Sequence, residues 1–184
     1  MDWPEPETNS TEDAEAAERA RQFVMGMFGH PIYSKYGDYP AVVRQQVDAN
    51  SKAEERPRSR LPTFTQEEIE YIRAYTKGLL TIMSTFCTHL MRNIIRHVIH
   101  HRKSHAWGLR KQLNWVATQY PGYPIIITEN GHLNLGGRND TDRIEYYTEY
   151  LGAVLEAIYT DGVPVIGYTA WSLMDNVEWN RGFT

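Results

Sequence analysis

Four side chains toward the end of the sequence have types and spacing that could do chemistry together. They are two carboxylates and two indoles, Glu129, Glu178, Trp171 and Trp179. Glu129 follows Ile125-Ile126-Ile127, a β-branched run typical of a strand buried on both faces, as in a parallel sheet. Asn130-Gly131 then predicts a turn, so Glu129 lies at the carboxyl end of the strand. Catalytic groups stand there in β/α proteins, although a Glu facing solvent beside a turn is the alternative.

A second strand pattern runs from Val163 to Leu173 and again ends in polar residues. Between the two strands, the stretch from Asp140 to Tyr159 predicts an amphipathic helix, with Asp140-Thr141-Asp142 at its N-cap and Asp161-Gly162 at its end. Its apolar positions recur at steps of three and four: Ile144, Tyr147, Leu151, Val154, Leu155 and Ile158. A strand, helix and strand of these lengths form a βαβ unit whose two strand ends share one rim. We therefore expect the four side chains to converge.

Carboxylates beside exposed aromatic rings suit a sugar ligand. A sugar offers apolar C–H faces to an indole ring, and its hydroxyl groups donate hydrogen bonds to carboxylate oxygens. The alternative for any Trp is core packing, because Trp is highly buried on average. Core packing is the stronger interpretation for Trp107 and Trp115, which share a predicted helix with Leu109 and Leu113. It is the weaker one for the pair beside the polar cluster.

The segments Ile127–Gly131 and Trp171–Trp179 resemble the two C-terminal signatures of glycoside hydrolase family 1. This family includes β-glucosidases, myrosinases and lactase-type enzymes. The sequences of the two segments are similar to those of animal members, insect ones among them. The resemblance covers residues 3–72 and 105–184, and residues 73–104 diverge. It implies that residues 1–184 are the C-terminal part of a (β/α)8 TIM barrel, an α/β fold, from after strand five through strand eight. The sixth strand is in doubt.

The resemblance also implies roles for individual residues. Glu129 matches the catalytic nucleophile, and Trp171 matches the stacking platform under the glycone. Glu178 and Trp179 match side chains that bind the glycone hydroxyl groups. The family hydrolyses β-linked glycosides with retention and without a cofactor. Retention requires a carboxylate nucleophile and a protonated carboxyl acid about 5–5.5 Å apart.

The family's acid/base is a Glu in an Asn-Glu-Pro motif, and this sequence contains no such motif. Glu5, in Trp3-Pro4-Glu5-Pro6, matches a position after the fifth strand and is not that acid. The first hypothesis is therefore a β-glycosidase-type hydrolase using double displacement, represented by a truncated chain that is inactive alone. The second is a non-catalytic sugar-binding pseudoenzyme or an incomplete gene product.

Composition excludes other classes of protein. Nineteen Lys and Arg against 23 Asp and Glu give a net charge of −4, which argues against nucleic acid as a main partner. A single cysteine, Cys87, excludes an intrachain disulfide. No apolar run reaches the roughly 18 residues that cross a bilayer. No secretory signal opens the sequence, and since full-length members of the family are often secreted or lysosomal, localisation stays undecided.

The segment from Arg96 to His105 is basic and rich in histidine. The spacing of its four histidines, His97, His100, His101 and His105, allows a metal site. Zinc sites need closed ligand geometry with cysteine or supporting hydrogen bonds, which this segment does not offer. A solvated basic helix face is the favoured interpretation, so we expect no metal.

Overall fold

The computed structural model describes residues 3–75, 80–83, 105–132, 138–174 and 177. The chain forms two compact units. The first is Trp3–Gly78, and the second is Leu79–Thr184 together with Met1–Asp2. The boundary falls inside residues 73–104, the segment that the sequence predicts to diverge from the resemblance. In the parts of the chain that the structure describes, no helix is long and apolar enough to cross a membrane.

The first unit is helical. Its elements are α1 (Thr11–Arg21), a π-helical turn (Gln22–Gly26), α2 (Met27–Tyr33), α3 (Ala41–Ala53) and α4 (Gln66–Tyr75). The sequence predicts a single helix from Asp13 to Phe28. The helical segment begins two residues earlier, because Ser10 Oγ accepts the Asp13 backbone N–H at 3.1 Å and caps it. It also continues through the π-helical turn to Tyr33.

Two other helices of this unit agree with the sequence. The sequence predicts a helix from Ala41 to Ala53, and α3 has these bounds. Thr65-Gln66-Glu67-Glu68 predicts a further helix that opens with a capping box. The box is confirmed before α4, since Glu68 Oε2 accepts the Thr65 N–H at 2.8 Å and Thr65 Oγ1 accepts the Glu68 N–H at 3.2 Å. Arg44 links α3 to the preceding loop through Asp38, with an Nη2–Oδ1 distance of 2.6 Å. Burial raises the pKa of Asp38. Hydrogen bonds from Arg44 and the Tyr39 N–H lower it by more, so the pKa lies below its usual value.

The second unit is α/β. Its elements are β1 (Leu80–Met83), α5 (Ala106–Gln119), β2 (Ile125–Asn130), α6 (Thr141–Tyr159) and β3 (Val165–Ala170). The strands form a parallel sheet in the order β1-β2-β3. The predicted strand–helix–strand unit is therefore confirmed. A strand, β1, is present within residues 73–104, where the sequence left the sixth strand in doubt, and its Leu80 pairs with Ile125.

The core of this unit lies between the sheet and the two helices. Helix α5 buries an i, i+3, i+4 stripe that contains Leu109, Leu113 and Val116, and β2 buries Ile125 and Ile127. Trp107 lies off that stripe, so the core interpretation is wrong for it. Its side chain is 46% exposed and its ring lies 4.9 Å from the Lys111 ammonium.

Helix α6 corrects two further predictions. Its buried stripe is Tyr150, Ala153, Val154 and Ala157, whereas Ile144, Leu151 and Leu155 are exposed. The helix carries apolar residues on two faces, and only one of them packs on α5 and the sheet. Asp140 occupies the predicted N-cap position, but its side chain makes no capping hydrogen bond. It pairs instead with Arg143 at 3.3 Å.

An arginine fork joins α5 to the residues that follow α6. Arg110 donates from Nε to Asp161 Oδ2 at 2.7 Å and from Nη2 to Asp161 Oδ1 at 2.8 Å. Glu156 accepts from the third guanidinium nitrogen, and Asn114 Nδ2 donates to Asp161 Oδ2 at 2.6 Å. Bidentate geometry of this kind makes a strong charge-assisted contact. The hydrogen bonds from Arg110 and Asn114 hold the pKa of Asp161 at about 2.

Candidate active site

Glu129 lies at a β-bulge near the carboxyl end of β2. Ile82 and Met83 are consecutive in β1, yet they pair with Ile127 and Glu129. On the other side of β2, Ile127 pairs with Tyr168 and Asn130 pairs with Ala170, so β2 advances three residues where β3 advances two. Strand β2 therefore carries one extra residue relative to both neighbours just where the carboxylate stands. Bulges of this kind re-aim side chains and are enriched beside active sites.

Asn130, the residue after Glu129, is fully buried. Its side-chain Oδ1 accepts the hydroxyl proton of Tyr168 on β3 at 2.6 Å. Its backbone oxygen accepts the N–H of Trp171 at 2.8 Å. The end of β2 is thus joined to β3 by both side chain and backbone, and this fixes the backbone next to the carboxylate.

Trp171 directly follows β3, and its side chain is 44% exposed. The ends of the two strands approach each other closely at this point. A Cβ on Gly131 would overlap the carbonyl oxygen of Trp171 and lie 2.7 Å from its carbonyl carbon, so only glycine fits. The peptide bond between Trp171 and Ser172 is cis. The structure therefore places an accessible indole next to the strand end that carries Glu129.

Helix α6 contributes a third group to this rim. The Tyr147 hydroxyl donates to the Trp171 carbonyl oxygen at 2.9 Å and lies 3.5 Å from the Asn130 carbonyl oxygen. Its ring meets the Tyr146 ring edge to face, with centroids 5.5 Å apart. Burial raises the pKa of Tyr147, which keeps its hydroxyl protonated and able to donate.

An aromatic stack lies against His132, two residues past the end of β2. The Tyr146 ring stacks on His132 at 5.1 Å and on Tyr150 at 3.9 Å between centroids. Burial raises the pKa of Tyr150 to about 12 and also raises that of Tyr146. Burial lowers the pKa of His132, so the imidazole is neutral at neutral pH. The residues directly after β2 are therefore packed against uncharged rings, of which Tyr150 is buried.

Of the four predicted site residues, the structure brings Glu129 and Trp171 to adjacent strand ends. Glu178 and Trp179 lie outside the described residues, as do Cys87 and three of the four clustered histidines. The fourth, His105, is exposed. Within the described ranges, no group of three or more His, Cys, Asp or Glu could hold a metal ion.

Sequence reasoning missed three residues of this rim: Asn130, Tyr147 and Tyr168. Asn130 was interpreted only as half of a turn, and Tyr147 only as a member of an apolar stripe. The one available signal was the tyrosine content of α6, where Tyr146, Tyr147 and Tyr150 stand within a single turn and a half. Of these three only Tyr147 belongs to the predicted apolar stripe, and any tyrosine hydroxyl group that becomes buried requires a hydrogen-bond partner.

Comparison with known proteins supports the resemblance over the whole chain. The family model for glycosyl hydrolase family 1 matches residues 1–184. Lactase/phlorizin hydrolase of Rattus norvegicus is 39% identical over 204 aligned positions, which cover 99% of this chain and 10% of that protein. Myrosinase 1 of Brevicoryne brassicae is 38% identical over 199 positions, covering 95% of this chain and 42% of that protein.

The solved structure of an aphid myrosinase superposes on 97% of this chain and 43% of its own length, with a TM-score of 0.81 and 35% identity. The chain thus spans less than half the length of these relatives. The match nevertheless includes both strand ends that carry Glu129 and Trp171, and the family model leaves no part of the sequence unmatched. This chain therefore belongs to glycosyl hydrolase family 1, a family of glycosidases.

Proposed function

We propose that this chain carries the nucleophile and the glycone platform of a β-glycosidase that acts on a terminal β-linked, glucose-type sugar. One observation carries the proposal: the N–H of Trp171 donates to the carbonyl of Asn130, the neighbour of Glu129, at 2.8 Å. A carboxylate and an accessible indole are thereby held at adjacent parallel strand ends. A sugar stacked on the indole would have its anomeric carbon within reach of a carboxylate on the same rim.

The reaction that suits this arrangement has two displacements. A Glu129 carboxylate oxygen attacks the anomeric carbon, and the aglycone oxygen leaves with the electron pair of the broken C–O bond. Water then attacks the same carbon and loses a proton to the solvent, while the bond between that carbon and the Glu129 oxygen breaks, which releases the sugar and regenerates the carboxylate. Each displacement inverts the anomeric carbon, so the β configuration is retained.

Glu178 and Trp179 complete the proposed glycone site. By family resemblance their side chains bind sugar hydroxyl groups, and hydrogen bonds of this kind strengthen in the transition state. We assign β1, β2 and β3 to strands six, seven and eight of a (β/α)8 barrel. The parallel order β1-β2-β3 and the family match support this assignment.

The acid/base role is assigned to none of the 184 residues, since the Asn-Glu-Pro motif is absent from the sequence. General acid catalysis contributes about 10²–10⁴-fold to such reactions. We therefore propose that these residues alone turn over ordinary glycosides negligibly. A leaving group that departs as a stable anion, such as dinitrophenolate, removes the need for the acid in the first displacement.

The test uses the 184-residue chain and 2,4-dinitrophenyl β-glucoside, with dinitrophenolate release followed by absorbance. Azide, a nucleophile that needs no general base, is added to intercept the glycosyl-enzyme and release β-glucosyl azide. We expect release above background and its acceleration by azide. Glu129→Gln should reduce release to the uncatalysed rate, because the amide keeps the shape and loses the nucleophilic charge.

The matched control is Glu145→Gln, the same change at an exposed position on α6. It should leave release unchanged. Release that persists in Glu129→Gln would refute the nucleophile assignment. Saturable quenching of tryptophan fluorescence by the glucoside, without any Glu129-dependent release, would establish the sugar-binding pseudoenzyme instead.

A further inference from the structure

We propose that Tyr147 is a positioning residue for the sugar site: one hydroxyl group on α6 ties the ends of β2 and β3 and so sets Trp171 relative to Glu129. The significance of this tie for a sugar rests on the proposed function. The tie itself rests only on the geometry of the rim.

The tie acts on backbone atoms at the ends of both strands. The Tyr147 hydroxyl donates to the carbonyl of Trp171, one residue past β3, at 2.9 Å. The carbonyl of Asn130, the last residue of β2, lies 3.5 Å from the same oxygen. A carbonyl just past the end of a strand no longer belongs to the regular ladder, and it needs a donor from elsewhere. Tyr147 supplies that donor to Trp171.

The donor is itself rigid. The Tyr147 ring meets Tyr146 edge to face at 83°, and Tyr146 stacks on Tyr150, which is nearly fully buried. Edge-to-face and stacked contacts of this kind stabilise an aromatic pair beyond the burial of its surface. The hydroxyl therefore reaches the rim from an ordered part of α6, and its position is independent of any bound sugar.

The backbone tie matters because the Trp171 side chain is not held by core packing. The indole is 44% exposed, so its place depends mainly on its own backbone. Two hydrogen bonds fix that backbone: the Trp171 N–H to Asn130, and the Trp171 carbonyl from Tyr147. Removing the second leaves the peptide after Trp171 free to rotate away from the strand end that carries Glu129.

The test compares Tyr147→Phe with Tyr159→Phe in the 184-residue chain. Both changes remove one hydroxyl from α6, but Tyr159 is 83% exposed. The chain is labelled with 5-fluorotryptophan, and its five indoles are observed by ¹⁹F NMR. Trp171→Phe and Trp115→Phe each assign one resonance. We expect Tyr147→Phe to shift or broaden the Trp171 resonance, to leave that of Trp115 in place, and to leave the melting temperature nearly unchanged. Tyr159→Phe should move neither resonance.

Kinetics with 2,4-dinitrophenyl β-glucoside give the functional readout. Tyr147→Phe should lower kcat/KM about threefold to tenfold, because a loss of this size corresponds to one neutral hydrogen bond. Tyr159→Phe should leave kcat/KM unchanged. An unmoved Trp171 resonance in Tyr147→Phe, or an equal movement of all five resonances, would overturn the proposal. If the unsubstituted chain shows no Glu129-dependent release, the proposed function fails, and the NMR comparison still decides whether the tie exists.

Discussion

The Tyr168 hydroxyl donates to the side-chain oxygen of Asn130 at 2.6 Å, across the boundary between β3 and β2. Asn130 is fully buried and directly follows Glu129. A buried amide oxygen must be satisfied, so the pair fixes the register of the two strands at the rim. Through this contact, Tyr168 on β3 fixes the position of Asn130 on β2 and so the backbone beside the Glu129 carboxylate.

Tyr168→Phe should destabilise the fold by about 1–3 kcal/mol, because it leaves the buried Asn130 oxygen without this donor. Tyr159→Phe is the matched control and should change the free energy of unfolding by less than about 0.5 kcal/mol, as at other exposed positions. Urea denaturation of both variants measures the difference. Equal stability of the two variants would show that the contact does not contribute.

Gly131→Ala should force the ends of β2 and β3 apart, because the new Cβ would overlap the Trp171 carbonyl oxygen. We expect a loss of stability together with a changed Trp171 environment, measured by thermal unfolding and ¹⁹F NMR. Gly152→Ala, on α6, meets no atom within 4 Å. It should stabilise the chain by about 0.5–1 kcal/mol, because alanine is a better helix former. A tolerated Gly131→Ala would contradict the close approach.

Glu129 and Glu178 should differ in covalent labelling. When residues 105–184 replace the matching part of a full-length relative, a 2-deoxy-2-fluoro glucoside with a good leaving group should label Glu129, because fluorine slows departure of the glycosyl-enzyme. Glu129→Gln should abolish labelling. Glu178→Gln should slow labelling and leave it at position 129, as peptide mass mapping would show. A label on Glu178 would reverse the two assignments.

The acid side of the stability curve should depend on Asp161. Hydrogen bonds from Arg110 and Asn114 lower its pKa from 3.8 to about 2. The group therefore contributes stability that is complete above pH 3.8 and is lost as the pH falls through about 2. Asp161→Asn should flatten that part of the curve, measured by urea denaturation at each pH. Adding Arg110→Leu to Asp161→Asn should change the slope no further, and an additional change would point to another carboxylate.

His132 should titrate below its ordinary pKa. Burial lowers the value, Arg143 lowers it further, and Asp140 and Asp142 oppose the shift. Because the folded state favours the neutral imidazole, its contribution is complete above the unfolded pKa of about 6.5, and stability falls as the pH drops below it. NMR of the His132 ring protons gives the midpoint, and His132→Gln should weaken this pH dependence. A midpoint above 6.5 would show that the two aspartates dominate.

The sequence by itself determined the features that depend on near neighbours. The β-branched run at Ile125–Ile127 and the turn after Asn130 predict a strand that ends at Glu129, and the strand is present. The capping box at Thr65 and Glu68 is likewise a contact within one turn of helix. Family membership also follows from short motifs, because each motif is contiguous in the chain.

Only the tertiary structure decided the features that depend on which faces meet. The register shift at Glu129 appears only when β2 is paired with both β1 and β3. Helix α6 has two apolar faces of similar strength, and packing on α5 and the sheet selected the one with Tyr150 and Val154. The Tyr147 hydroxyl meets the carbonyls of Asn130 and Trp171 from 17 and 24 residues away. Periodicity describes the direction of a side chain along one element, whereas a partner from another element is fixed only when the elements pack.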